Sequence, residues 1–297
     1  MQVIKPVTFN KNTMLVSTTA TETVPAWSSA TTYNADAEVL YNDNIYVSLQ
    51  GSNTNKQPDT NPTWWLIKQA GNRMAMFDDS VSTRTTATSS LQVVLNTGMI
   101  NSIAFLNISG NTLTVTATES PSGPVVYSKT IKLDGTIITN WYEYFFEPYE
   151  FLSDVVLTDI PPYSGMQMTV QITTGPTSEV AIGNLIFGTL YTLGQTQYGV
   201  SVGIRDFSIK ETDDFGNVRL LQRAYSKRMN AQIFVPNNNF NKLNKILADL
   251  RATPAVYIGT QDERFNQAIV YGYYRDYDVV IQYPGASLCS IEIEGLI

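Results

Sequence analysis

Apolar and polar residues alternate in short runs along residues 71–194 of this 297-residue chain. Because successive side chains on a β-strand point to opposite faces, such alternation predicts strands with one buried face. Turn-forming residues separate the runs, as at Ser109-Gly110-Asn111 and Ser164-Gly165. The predicted strands are 91–95, 103–108, 112–118, 125–131, 155–157 and 166–173, and the aromatic run 141–149 fits one more. Many short strands of this kind predict a β-sandwich, or jelly roll, over residues 71–194.

One segment of residues 195–297 has the spacing of a helix. Pro236 and the asparagines after it supply a start signal, and Thr253-Pro254 supplies a stop. The apolar residues between them share one helical face: Phe240, Leu243, Ile246, Leu247 and Leu250. Alternating runs at 200–209, 218–222, 229–235, 255–258, 268–274, 278–283 and 287–293 predict strands. We expect an α+β assembly domain whose single helix covers a mostly antiparallel sheet.

The first 70 residues divide at Pro25. Residues 1–25 alternate loosely, which predicts an N-terminal arm with one or two strands that can pair with a neighbouring chain. Residues 26–70 form an aromatic module with two short strands around the turn Asn42-Asp43-Asn44, since Asn and Asp tolerate positive φ. Six rings lie within this module: Trp27, Tyr33, Tyr41, Tyr46, Trp64 and Trp65.

The rings of this module have two interpretations. They form a miniature core, because so small a module has little else to bury, or they face outward as a platform for a sugar. Trp64 and Trp65 are adjacent, and adjacent strand residues face opposite ways, so we expect one to point inward and one outward. The candidate carbohydrate-binding residues are Trp64, Trp65, Tyr33 and Tyr46.

Charge narrows the range of partners. Charged residues make up 15 % of the chain, below the usual quarter, which is consistent with a surface covered by neighbours in an assembly. Residues 71–194 carry 4 basic and 10 acidic side chains, and no basic cluster alternates with aromatics, so we expect no nucleic-acid partner. No segment approaches 18 apolar residues and the start lacks an apolar leader. We expect no membrane span, and synthesis in a cytoplasm.

The sequence contains little of the usual catalytic chemistry. Histidine is absent, which excludes Ser-His-Asp and Cys-His hydrolases and histidine-bound zinc. Cys289 is the single cysteine and is expected as a buried thiol. Asp213-Asp214 is read as a plain turn in preference to a calcium site. Glu143, Glu147 and Glu150 leave one enzymatic route, glycoside hydrolysis by paired carboxylates, although a solvated acidic edge is the favoured interpretation. We expect no enzyme, no metal and no cofactor.

Two resemblances follow from the residues. Trp27-Ser28, Tyr33, Val39, Tyr41-Asn42, Tyr46, Pro58 and Trp64 resemble, in order and spacing, the chitin-binding type-3 carbohydrate-binding modules. The resemblance covers about 45 residues and implies a small three-stranded β domain, with its exposed aromatic at Trp64 or Trp65. Two glycines of that pattern are replaced here by Asp36 and Asp43.

The second resemblance covers residues 71–297. Met76-Phe77-Asp78-Asp79-Ser80, the segments 183–188 and 193–196, the segment 198–208 and the ending at 289–296 are similar to structural proteins of bacteriophage tails. The layout resembles tail-tip or baseplate components with the role of distal tail proteins, which join the tail tube to the adsorption apparatus. The resemblance implies a virion protein that pairs with copies of itself in a ring and with tube, hub and fibre proteins.

Two rival functions remain open. The first is a host-adsorption protein whose main task is recognition of cell-surface polysaccharide through Trp64 and Trp65. The second is a glycan-degrading enzyme that uses Glu143 and Glu147.

Overall fold

The computed structural model describes residues 1–135, 140–146, 151–212, 215–260 and 267–296, apart from the side chain of residue 143. The protein is mainly β. The strands, in chain order, are β1 (Gln2–Pro6), β2 (Leu15–Thr18), β3 (Thr32–Tyr33), β4 (Glu38–Tyr41), β5 (Asn44–Ser48), β6 (Asn53–Thr54), β7 (Trp65–Ala70), β8 (Thr85–Thr88), β9 (Ser90–Asn96), β10 (Ser102–Leu106), β11 (Thr112–Thr118), β12 (Val125–Lys132), β13 (Val155–Leu157), β14 (Gln167–Thr173), β15 (Glu179–Ile182), β16 (Asn184–Thr192), β17 (Gln195–Thr196), β18 (Ser201–Asp206), β19 (Ile209–Thr212), β20 (Val218–Leu221), β21 (Tyr225–Pro236), β22 (Ala255–Ile258), β23 (Ile269–Tyr283) and β24 (Ala286–Gly295). The α-helices are α1 (Lys11–Met14), α2 (Trp141–Phe146) and α3 (Phe240–Asp249), and two 3₁₀ turns cover Ala75–Phe77 and Asn237–Asn239.

A ten-stranded antiparallel sheet forms the backbone of the fold. Its order is β13-β10-β16-β1-β22-β23-β24-β21-β17, and β18 pairs with β21 beside β17. The sheet is continuous across residue 194, so it contains strands from both the predicted sandwich region and the predicted α+β region. β16 belongs to the first region and β22 to the second, and β1 joins them.

The N-terminal strand lies at the centre of this sheet. β1 pairs with β16 on one side and β22 on the other, and Val3 and Ile4 are fully buried. The prediction that the arm pairs with a neighbour is therefore wrong for β1, because both of its edges are occupied within the chain. At Gly188 the backbones approach so closely that an added Cβ would lie 2.0 Å from the Lys5 carbonyl oxygen.

A second sheet packs on one end of the first and confirms the sandwich. Its order is β12-β11-β14-β9-β2, and its alternating apolar residues Leu91, Val93 and Leu95 are fully buried. They meet Phe105 and Phe187 of the large sheet in one core. The strands predicted at 112–118 and 155–157 match β11 and β13 residue for residue.

The predicted helix is confirmed and covers the other end of the same sheet face. In α3, Leu243, Ile246 and Leu247 are buried. They pack in a second core that includes Met229 and Ile293. Within the described segments α3 is the only helix longer than six residues. Sandwich and helix thus share one face of the large sheet.

The opposite face of the large sheet is concave. It holds a third apolar cluster that includes Ile4, Leu106 and Tyr271. Asp154, just before the edge strand β13, forms an ion pair with Lys227 on β21 with 2.5 Å between Oδ2 and Nζ. The sheet must curl for its two ends to meet in this way, and an apolar cleft of about 340 Å³ remains inside the curl.

Two predicted strands differ from the structure. The aromatic run predicted as a strand contains α2, in which Trp141 contacts Tyr144 and Phe145 at helical spacing. Aromatic pairs three and four residues apart stabilise a helical turn, and this preference overrides their tendency to form strands. The sequence predicts separate strands at 268–274 and 278–283, but residues 269–283 form the single strand β23. Its pairing with β24 continues across a register shift between Tyr274 and Asp276.

Candidate functional site

The aromatic module is an insertion whose two ends are tied together. The Glu22 carboxylate, on the incoming chain, accepts hydrogen bonds from the backbone N–H groups of Asn72 (2.8 Å) and Arg73 (3.1 Å) on the outgoing chain. The Asn72 amide donates to the carbonyls of Thr21 and Thr86 and accepts from the Thr86 N–H. These bonds fix the direction in which the module leaves the body of the protein.

The module is built on a three-stranded sheet, β4-β5-β7, with a small β3-β6 ladder beside it. Asn42 and Asp43 link β4 to β5 with φ of 46° and 63°, which is the two-residue turn that matches strand twist. Asp36 also has a φ of 63°. Both aspartates that replace glycines of the type-3 pattern therefore occupy left-handed positions that aspartate tolerates. The Asp43 carboxylate holds Lys11 of α1 at 2.6 Å, which ties the turn to the body.

Trp65 is a core residue of the module. Its side chain is 3 % exposed, its Nε1–H donates to the Lys56 carbonyl at 2.7 Å, and Tyr33 packs edge-on with 5.3 Å between ring centroids. The Tyr33 hydroxyl in turn accepts from the Ser28 N–H at 2.7 Å. Because Trp65 is buried, its ring faces are closed to a sugar. Tyr33 packs against Trp65 and supports its position.

Trp64 is half-buried and is the accessible member of the pair. Its backbone N–H donates to the Asn61 carbonyl at 3.0 Å, and the Asn61 amide donates to the Gln57 carbonyl at 2.9 Å. The Lys56 ammonium lies over the Trp64 ring, 5.6 Å from its centroid. Because these bonds close the loop on itself, the Trp64 ring is held on an ordered surface.

Tyr46 is half-buried on another part of the module. Burial raises the pKa of its hydroxyl, and the negative charge of Asp59 and the nearby Tyr41 raise it further. Trp27 packs edge-on against Tyr41 at 5.6 Å. The rings thus form two small clusters, and both interpretations of the sequence apply to different rings: Trp65 is core, whereas Trp64 and Tyr46 keep accessible surface.

The C-terminal half carries a second candidate site, which consists of two strand edges that are unpaired among the described residues. β22 pairs with β23 only as far as Gly272, and β24 occupies the opposite edge. From Tyr273 to Tyr283 the remaining edge of β23 has no partner among the described residues. Within the part of the chain that the structure describes, β18 pairs on one side only, with β21. Each edge presents backbone donors and acceptors that another strand can satisfy.

These two edges match in position and direction. Through the registers, Ser201 of β18 lies in one row with Asn230, Glu292 and Asp276 of successive strands. Every neighbouring pair in β23-β24-β21-β18 is antiparallel, so β18 runs opposite to β23. A second copy placed beside the first would therefore continue the antiparallel alternation.

The remaining candidates for catalysis or metal binding form no site within the described residues. Glu147, Glu150 and the Asp213-Asp214 turn lie outside the described residues, as does the side chain of Glu143. No group of three or more metal-ligating side chains occurs in the described ranges. Cys289 is fully buried, and burial, with the charge of Asp278 as a second cause, raises its pKa to about 11.

Comparison of the sequence with models of protein families and with curated proteins gave no match. None of the helices within the described ranges has the length and apolar character needed to cross a bilayer.

Proposed function

We propose that this protein is a structural subunit of a bacteriophage tail tip or baseplate that forms a ring with copies of itself. The observation that carries the proposal is the pair of free edges on β23 and β18. An edge strand is a template for pairing with another chain. Because the two edges belong to different strands, the contact is head-to-tail, and a head-to-tail contact closes into a ring when its rotation permits.

The composition supports the same role. A virion part requires no catalytic group, and a weakly charged surface suits a subunit that neighbours cover. The position in the tail, between the tube and the hub and fibre proteins, comes from the resemblance of residues 71–297 to tail proteins. The subunit would be made in the host cytoplasm and act in the virion.

Lysine placed on each free edge tests the ring. Ile281 on β23 is 69 % exposed and Val202 on β18 is 40 % exposed, so lysine is tolerated in the monomer. Lysine on a strand edge opposes pairing. We expect the wild-type protein to form a closed ring by native mass spectrometry and electron microscopy. Ile281→Lys and Val202→Lys should each reduce it to monomers.

Val125→Lys is the matched control, because Val125 is 61 % exposed on β12, the edge of the other sheet. A wild-type protein that stays monomeric at high concentration contradicts the proposal, and so does a control that dissociates as fully as the two test variants. For the tail position, particles of the virus that encodes the chain should contain it in a fixed copy number, measured by quantitative mass spectrometry.

A second candidate, recognition of host polysaccharide as the main task, is favoured by the ordered loop that presents Trp64. In a ring, one such module per subunit would allow weak contacts to add. Trp64→Ala should then abolish adsorption to host cells while particles still assemble. Unchanged adsorption would exclude this candidate.

A further inference from the structure

We infer that the Trp64 surface takes an anionic sugar, one that carries a carboxylate or a phosphate. The inference rests on the proposed carbohydrate role of the aromatic module and adds the class of ligand. It depends on the position of the Lys56 ammonium over the Trp64 ring.

Lys56 differs from the other lysine of the module in having no carboxylate partner. Lys68 forms an ion pair with Glu38 across β4 and β7. No Asp or Glu of the described residues lies within ion-pair distance of Lys56, and its ammonium contacts the face of the Trp64 ring instead. Attraction to an aromatic face is a weak replacement for a carboxylate at an exposed position. The charge of Lys56 is thus available to a ligand.

The position of Lys56 is set by the core of the module. The Lys56 carbonyl accepts the hydrogen bond from the buried Trp65 Nε1–H. Trp65 in turn follows Trp64 in the chain, and both backbone N–H groups donate to the Asn61 carbonyl, at 3.0 and 3.1 Å. The lysine and the ring that it covers are therefore parts of one ordered loop, and the pair is in place before any ligand arrives.

The ammonium discriminates between neutral and anionic sugars. A neutral ring that stacks on Trp64 must displace the ammonium, which then returns to water with no new partner. An anionic sugar can stack on the same face while its carboxylate or phosphate receives the ammonium, so the ion exchanges a weak contact for a charge-assisted hydrogen bond. The loop therefore favours the anion.

The one carboxylate of this loop is directed elsewhere. Asp59 accepts a hydrogen bond from the Gln57 amide at 2.7 Å, and its charge acts on Tyr46. The Asp59 carboxylate thus has a hydrogen-bond partner other than Lys56. The anionic group should consequently bind at the Lys56 ammonium.

A pair of ligands that differ only in charge tests the inference. Trigalacturonate carries carboxylates, and its methyl ester presents the same rings without charge. A phosphorylated mannose oligomer and its dephosphorylated form supply the second pair and show which anion is preferred. Binding to the full chain is measured by calorimetry at low salt. We expect at least one anionic form to bind at least tenfold more tightly than its neutral partner, with the difference falling at high salt.

Variants assign the effect to the loop. Lys56→Gln should remove the preference for the anion, and Trp64→Ala should remove binding of both forms. Lys68→Gln is the control, since Lys68 belongs to the same module but is already paired with Glu38. Its binding should match that of the wild type.

The outcomes separate this inference from the role on which it rests. Equal binding of charged and neutral forms, lost in Trp64→Ala, would overturn the anionic class and leave the module as a sugar binder. Equal loss of the preference in Lys56→Gln and Lys68→Gln would also overturn it. Failure of both ligand pairs to bind would overturn the inference and the carbohydrate role together. Ring formation is tested separately, by the oligomeric mass of the protein.

Discussion

The adjacent tryptophans of the aromatic module should differ sharply in their contribution to stability. Trp65 is 3 % exposed, packs on Tyr33 and donates a hydrogen bond to Lys56. Replacing a buried tryptophan with alanine costs about 3–5 kcal/mol through lost burial and the cavity that remains. Removal of the indole also leaves the Lys56 carbonyl without its donor, which adds to the loss.

A module of this size has little stability to lose. Single domains of any size are stabilised by only about 5–15 kcal/mol, and small ones lie at the lower end. The Trp65→Ala change should therefore unfold the module while the two-sheet body stays folded, because the body has separate cores. Trp65→Phe keeps most of the burial and loses the hydrogen bond, so its loss should be about 1 kcal/mol.

Hydrogen exchange resolved by segment measures both effects. In Trp65→Ala we expect the amides of β4, β5 and β7 to lose protection while those of β9, β11 and β14 keep it. Trp64→Ala is the matched control: it changes the neighbouring, half-buried ring and should preserve protection in all six strands. A Trp65→Ala module as protected as the wild type, or a Trp64→Ala module that unfolds, would refute the assignment of Trp65 to the core.

Two substitutions and one labelling experiment test other parts of the fold. Gly188→Ala should lower the free energy of unfolding by about 3 kcal/mol, measured by urea denaturation, because the new Cβ would meet the backbone of β1. Gly285→Ala is the control and should be neutral, since nothing lies within 4 Å of its Cβ position. Equal denaturation midpoints for the two variants would contradict this reasoning. The backbone of residue 36 has a φ of 63°, which a β-branched side chain adopts only with strain. Asp36→Val should therefore destabilise the module by about 1–2 kcal/mol and lower its melting temperature, whereas Asp36→Gly should not. Equal melting temperatures for the two variants would exclude a strained turn. Cys289 should resist alkylation at pH 8 until the protein unfolds, as followed by intact mass; rapid labelling of the native protein would show that the thiol is accessible.

The sequence predicts elements well where their signal is local. The stripe from Phe240 to Leu250 and the alternation over 112–118 depend on neighbours in the chain, and both elements form as predicted. Pairing between distant strands has no such signal. The central position of β1, the continuity of β23 and the identity of the strands that keep a free edge depend on partners far along the chain, so the sequence does not predict them.

The sequence likewise predicts the candidate sugar-binding site only in part. Period-two alternation predicts that Trp64 and Trp65 face different ways, but it does not say which is buried. That choice depends on the Lys56 carbonyl and on Tyr33, which the fold brings to Trp65. The run at 141–146 misleads because aromatic residues favour strands on average, while here they contact one another at helical spacing.

The central position of β1 also sets the order of events during synthesis. Pro6 pairs with Gly188 and Gln2 pairs with Ile258, so β1 can enter the sheet only after these much later residues have been synthesised. Long loops of this kind are slow to close. The large sheet is consequently completed only after β22, β23 and β24 have emerged, because β24 joins β23 to β21. In the proposed ring, the β23 edge would therefore become available to another copy only after residues 269–283 have been made.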